Sequence, residues 1–87
     1  MPPYELKVAA SAERTLSRLP ELAAAAIVEF MTGPLIDNPH RVGKALGLEL
    51  NGYHTARRGA YRVVYRVDER TVLVVRIEHR ADVYRHR

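Results

Sequence analysis

The chain contains no cysteine, so disulfides, thiol nucleophiles, thiolate-ligated zinc and dithiol redox pairs are all excluded, in keeping with a reducing compartment. Long apolar runs are missing too. The longest, Leu22 to Val28, lies between Glu21 and Glu29, far short of the roughly 20 residues that cross a bilayer. The opening Met1-Pro2-Pro3-Tyr4-Glu5 has neither the positive start nor the apolar stretch of a secretory signal. A cytoplasmic protein without membrane contact is expected. There is no Gly-rich phosphate loop, the histidines show no metal-ligand spacing, and Ser11 and Ser17 have no obvious His and Asp partners. No metal, no cofactor and no serine-hydrolase chemistry are therefore expected. Repeats, linkers and low-complexity tracts are also absent. With 87 residues, 47% of them apolar and 28% charged, residues 1–87 make one compact domain, too small for two cores. A domain of this size buries only about 60 to 65% of its unfolded surface, so a partner protein can add to its stability.

Lysine is nearly absent, and the charge that replaces it is unevenly spread. Residues 1–40 hold three cations against five carboxylates, whereas residues 41–87 hold eleven cations against five. Arginine outnumbers lysine twelve to two. Guanidinium forks onto phosphate or carboxylate in two-point contacts, so a polyanion is the natural partner of the second half.

Tyr4-Glu5-Leu6-Lys7-Val8 alternates apolar and polar side chains, which predicts a half-buried first strand. Ser11 is placed to cap a helix with Glu13 in its first turn and Leu16 and Leu19 on its apolar stripe. Pro20 ends that helix or opens the next. Leu22, Ala23, Ala26, Ile27, Phe30 and Met31 recur at helical spacing, and Gly33-Pro34 reads as a stop. An exposed connection carrying Asp37-Asn38-Pro39-His40 and Gly43 leads to three strand-like runs near 48–56, 59–67 and 71–79. The expected fold is therefore α+β: an N-terminal strand, a helical hairpin, and a three-stranded antiparallel meander covered on one face by the helices.

A three-residue loop at Asp68 to Arg70 would set Tyr61, Val63 and Tyr65 opposite Ile77, Val75 and Leu73. Arg62 would then face Arg76, Val64 would face Val74, and Arg58 would approach Arg80. A two-residue loop would instead pair Tyr61 with Glu78 and Val63 with Arg76, mixing charge into the core. The hydrophobic pattern thus favours a face that gathers Arg58, Arg62, Arg76 and Arg80, with Glu78 the one acid beside them. Like charges opposite one another destabilise a sheet, so an anion is expected to bind there.

RNA can be cleaved by in-line attack of its own 2′-hydroxyl on the neighbouring phosphate. The protein must then orient the chain, neutralise charge and move two protons. The arginines can neutralise; His54, His79, Tyr84 or a perturbed lysine or arginine can move protons. Tyr84 lies in the basic tail Arg80-Ala81-Asp82-Val83-Tyr84-Arg85, where its ring could stack on an unpaired base.

Four segments in order make the chain resemble the RelE/ParE toxin superfamily over nearly its whole length, and most of all actinobacterial members of the RelE branch. They are Leu16-Ser17-Arg18-Leu19-Pro20, Asn38-Pro39-His40-Arg41-Val42-Gly43-Lys44-Ala45-Leu46, Arg57-Arg58-Gly59-Ala60-Tyr61-Arg62-Val63-Val64-Tyr65 and His79-Arg80-Ala81-Asp82-Val83-Tyr84. The resemblance implies a small ribonuclease-like α+β fold and the toxin of a type II toxin-antitoxin pair, cutting messenger RNA on the ribosome without a metal. It implies that Arg62, in Tyr-Arg-x-x-Tyr, stabilises the transition state and that Arg80 and Tyr84 complete the site. The best-known members of the family carry two lysines on the preceding strand, where this chain reads Tyr53-His54-Thr55-Ala56-Arg57-Arg58. His54, Arg57 and Lys44 are the candidate replacements for the base. Lys44, Arg57, Arg58, Arg76 and Arg85 are expected to hold RNA. The implied partners are a cognate antitoxin, the ribosome and its messenger, with operator DNA reached through the antitoxin. An acidic, apolar antitoxin segment would find Val64, Val72 and Val74 on the arginine face. The alternatives are a ParE-like inhibitor of DNA gyrase and a non-catalytic module that binds RNA or a partner.

Overall fold

A computed structural model describes residues 4–46 and 52–80. Strand β1 is Glu5–Val8, helix α1 Ala10–Arg18, helix α2 Glu21–Phe30, and α3 a single turn at Pro39–Val42. Strands β2 to β5 are Lys44–Ala45, Tyr53–Arg58, Tyr61–Val67 and Thr71–His79. One sheet contains all five, in the order β1-β5-β4-β3-β2. Strand β1 runs parallel to β5, and the other pairings are antiparallel. This is the expected α+β class, with the helical segment crossing one face. Strand β2 was not anticipated, because two exposed residues carry no periodicity to read. Among the described residues, no helix is long and apolar enough to cross a membrane.

The helix signals hold in part. Helix α1 begins after Ala9 without a side-chain cap. Ser11 is therefore not the cap; its hydroxyl donates to the Val75 carbonyl at 2.9 Å and ties α1 to β5. Gly33-Pro34 does not stop the second helix either. The chain runs on through a π-helical turn, Met31–Leu35, that contains Pro34. Met31 and Leu35 are both buried, and the wider turn keeps them on the core side of one continuous helical path. The break comes at Asn38-Pro39, where proline occupies the first turn of α3.

The β4–β5 register differs from the expected one. Val67 pairs with Val72, Arg66 with Leu73 and Tyr65 with Val74, the pairing of a two-residue turn at Glu69-Arg70, closed by Asp68 N–H on the Thr71 carbonyl at 2.8 Å. Beyond Tyr65 the register steps by one. Val64 pairs with Arg76, Val63 with Ile77, Arg62 with Glu78 and Tyr61 with His79. Val75 has no partner on β4: it is a bulge. The bulge removes the conflict that counted against the short loop, because it turns Val72, Val74 and Ile77 to the same side. Arg62 consequently faces Glu78, not Arg76, and Val72 and Val74 lie in the core, not beside the arginines.

The core lies between the helices and this face of the sheet. Ala12, Ile27, Phe30, Met31 and Leu35 meet Ala56, Val63, Tyr65, Val72, Val74 and Ile77. Tyr65 is fully buried and donates its hydroxyl to the Pro39 carbonyl at 2.7 Å, which joins α3 to the middle of β4. Burial pushes its phenol up to about 12 from the ordinary 10.0. Between these values the unfolded chain loses a proton that the folded chain keeps, so stability is full below about pH 10 and falls as the pH climbs toward 12. Tyr65→Phe should flatten that alkaline loss in urea titrations. At neutral pH it should cost about 1–3 kcal/mol, because the Pro39 carbonyl loses its donor.

Candidate nucleic-acid interface

Paired residues on neighbouring strands project to the same side of a sheet, and alternate positions share a face. Registers β2 to β5 therefore arrange the face away from the helices into rows across the strands. One row is Arg57, Arg62 and Glu78. The next is Lys44, Thr55, Val64 and Arg76. A third, beyond the bulge, is Tyr53, Arg66, Leu73 and Lys7. Six cations thus share a face on which Glu78 is the only acid in these rows.

Arg57 and Arg62 are direct cross-strand partners, with β-carbons about 4.5–5.5 Å apart in such a pairing, close enough to reach one anion. Glu78 stands on the other side of Arg62 but bonds along its own strand, accepting from Arg76 Nε at 2.6 Å. An open cleft of about 740 Å³ borders the row, lined by Arg41, Val42, Gly43, Lys44, Thr55, Ala56, Arg57 and Arg62. Arg41 was not singled out from the sequence. It reaches the cleft because α3 leads through Gly43 into β2, which pairs with β3. The cleft wall there is tightly seated: a β-carbon on Gly43 would collide with the Tyr65 hydroxyl and come within 2.7 Å of the Thr55 carbonyl oxygen.

The candidate residues separate by face. Lys44, Arg57, Arg62 and Arg76 fall together on the open side. Arg80 follows β5, its N–H donating to the Ala60 carbonyl at 2.8 Å, two positions beyond Glu78. Arg58 does not belong with them. Its guanidinium lies over the Phe30 ring, 3.9 Å from the centre, on the helix side. His54 also lies on the helix side. It is 8% exposed, stacked on Tyr65 with ring centres 5.4 Å apart and edged by His40 at 5.4 Å. Its place in the row Ala45, His54, Tyr65 and Val74 puts it on the side of the sheet opposite Arg57 and Arg62. Tyr84 and Arg85 lie outside the described residues. Among the described residues, no three His, Asp or Glu gather as ligands for one ion.

Residues 6–84 match the family model described as ParE toxin of type II toxin-antitoxin system, parDE. The chain is 52% identical over 85 residues to Toxin RelE of Mycobacterium tuberculosis, covering 95% of this chain and 88% of that protein. It is 48% identical over 85 residues to Toxin RelG of the same organism, covering 95% of this chain and 98% of that one. Its fold is similar to the crystal structure of the toxin-antitoxin complex RelBE2 from Mycobacterium tuberculosis, with a TM-score of 0.84 and 45% identity over 90% of this chain and 99% of that chain.

Two variants test the geometry. Gly43→Ala should lose about 1–3 kcal/mol by overpacking the wall against Tyr65, read as a lower urea midpoint. Arg57→Ala relieves a like-charge pair and should leave the midpoint unchanged or raise stability by a few tenths of a kcal/mol. A large loss in Arg57→Ala would contradict the pairing.

Proposed function

Since the chain belongs to the RelE/ParE family and is a type II toxin of its RelE branch, we propose that it cleaves messenger RNA in the ribosome by attack of a 2′-hydroxyl on the adjacent phosphate. The observation that carries this reading is the directly opposed pair Arg57 and Arg62 at the edge of the cleft that Arg41 and Lys44 also line. Two guanidiniums facing one another are unfavourable when the site is empty and become favourable once a phosphate lies between them. As attack proceeds, charge grows on the non-bridging oxygens, so these donors gain most in the transition state. Arg41 and Lys44 can hold the flanking phosphates and keep the strand in line. Arg80, two positions past Glu78, is proposed to contact the RNA beyond β5, and Tyr84 to stack on a base at the cut.

The partner that silences such a toxin is a cognate antitoxin, as in the RelBE2 toxin-antitoxin complex to which this chain is similar. On this reading an acidic segment lies across the open face. Leu73, between Lys7 and Arg66, supplies half-buried apolar ground between cations. The acid and apolar groups of one peptide would fit both. Operator DNA would be reached through the antitoxin.

The test adds purified protein to a translating extract and maps messenger 5′ ends, beside a gyrase supercoiling assay. Codon-phased cuts are expected from the native protein. Arg62→Ala should cut about 100-fold more slowly or less while keeping its circular dichroism and antitoxin binding. Inhibited supercoiling with intact messenger would transfer the chain to gyrase poisoning, and neither effect would leave a binding module.

A further inference from the structure

The reaction proposed above needs a group to take the 2′ proton, and His54 lies on the helix side of the sheet, away from the arginine row. We infer that Glu78 is the general base, a reading that rests on the proposed RNA cleavage. Among the described residues it is the one carboxylate in the three rows that carry the cations, with Glu5 on the same face but at the far, β1 edge. Glu78 sits directly opposite Arg62, at the end of the row Arg57, Arg62, Glu78. Its side chain is 24% exposed, reachable yet restrained, and Arg76 Nε fixes one carboxylate oxygen at 2.6 Å. The second oxygen is left to accept a proton.

This places base and phosphate clamp on adjacent strands. The distance matches the substrate, because the 2′-hydroxyl is the immediate neighbour of the phosphate it attacks. In the step, the 2′-hydroxyl gives its proton to the Glu78 carboxylate as the bond from its oxygen to phosphorus forms. The bond from phosphorus to the 5′-oxygen breaks, and that oxygen takes a proton from water. The products are a 2′,3′-cyclic phosphate and a 5′-hydroxyl, and Glu78 later returns its proton to solvent. Atoms and charge balance without any further reactant.

A carboxylate among arginines could instead serve only to neutralise them, and the two roles predict opposite outcomes. Glu78→Gln keeps the shape and removes both the charge and the proton acceptor. If Glu78 is the base, single-turnover cleavage in the extract falls about 100-fold or more, while filter retention of RNA stays equal or tightens. If Glu78 only neutralises, the same variant binds more tightly and cuts as fast or faster, which overturns the proposal. A second variant guards against misfolding of the first: Glu78→Ala should recover cleavage as formate is added, and not with chloride at matched ionic strength. Absence of that recovery in a folded Glu78→Ala also overturns it. A native protein that leaves messenger intact would refute RNA cleavage itself, and Glu78 as base with it, a result separable from an active native protein whose variants are unimpaired.

Discussion

Strand β5 presents Val72, Val74 and Ile77 to the core, and a spacing of two followed by three fits one face of a pleated strand only if a residue leaves the ladder. Val75 is that residue. Everything beyond it toward the C-terminus changes sides relative to an unbroken strand, so Arg76 and Glu78 emerge on the open face where they would otherwise meet Val63 and Tyr61 in the core. The free carbonyl at the bulge is then satisfied by Ser11 from helix α1, so a side chain far away in sequence stabilises the irregularity. The place of Arg76 and Glu78 beside Arg62 and Val64 depends on this one step in register.

The two faces of the sheet divide the work. Adjacent residues on β3 show how sharply: Arg58 goes to the helix side and covers Phe30, while Arg57 goes to the open side and meets Arg62. The first arginine contributes to folding through its contact with an aromatic ring. The second gains nothing from the fold and opposes a like charge. A protein with little stability to spare tolerates such a pair where something else benefits from it, and a bound phosphate is the simplest beneficiary. Tyr65 links the two sides, since its hydroxyl on the Pro39 carbonyl holds α3, and with it the cleft wall, against the core.

The helices and strands were legible where the pattern was long: the alanine-rich run of α2, the alternation of β1, and the β-branched stretches of β4 and β5. What failed to show were features decided by tertiary packing. Ser11 looked like a cap because a hydroxyl before Glu13 fits that role, but the bulged carbonyl of Val75 competed for it and won. Gly33-Pro34 looked like a stop because proline lacks a donor, but burial of Met31 and Leu35 favoured a wider turn that has no need of one. Without a bulge the hydrophobic pattern puts Arg62 and Arg76 on one face, as the structure does, but it adds Arg58, which packs on Phe30, and gives Arg62 the wrong partner. Glu78 was visible as the acid among the cations, but its position opposite Arg62 was not. His54 illustrates the converse: a histidine amid basic residues invited a chemical role, and only the pairing with Tyr65 shows that it packs.

The arrangement also bears on how a messenger and an antitoxin would compete for one surface. If both bring negative charge, as proposed, charge alone distinguishes them poorly, and salt weakens either contact in the same direction. Leu73 breaks the symmetry. It lies between Arg66 and Lys7 in the third row, and a phosphate backbone has nothing to bury against it. A peptide that brings carboxylates to the arginines and an apolar side chain to Leu73 gains a hydrophobic contribution of about 1.5–3 kcal/mol for each side chain fully buried. Each 1.4 kcal/mol is tenfold in affinity, so one or two such contacts are enough to hold the face closed against RNA. On the proposed reading, loss of the peptide would re-expose the arginine row.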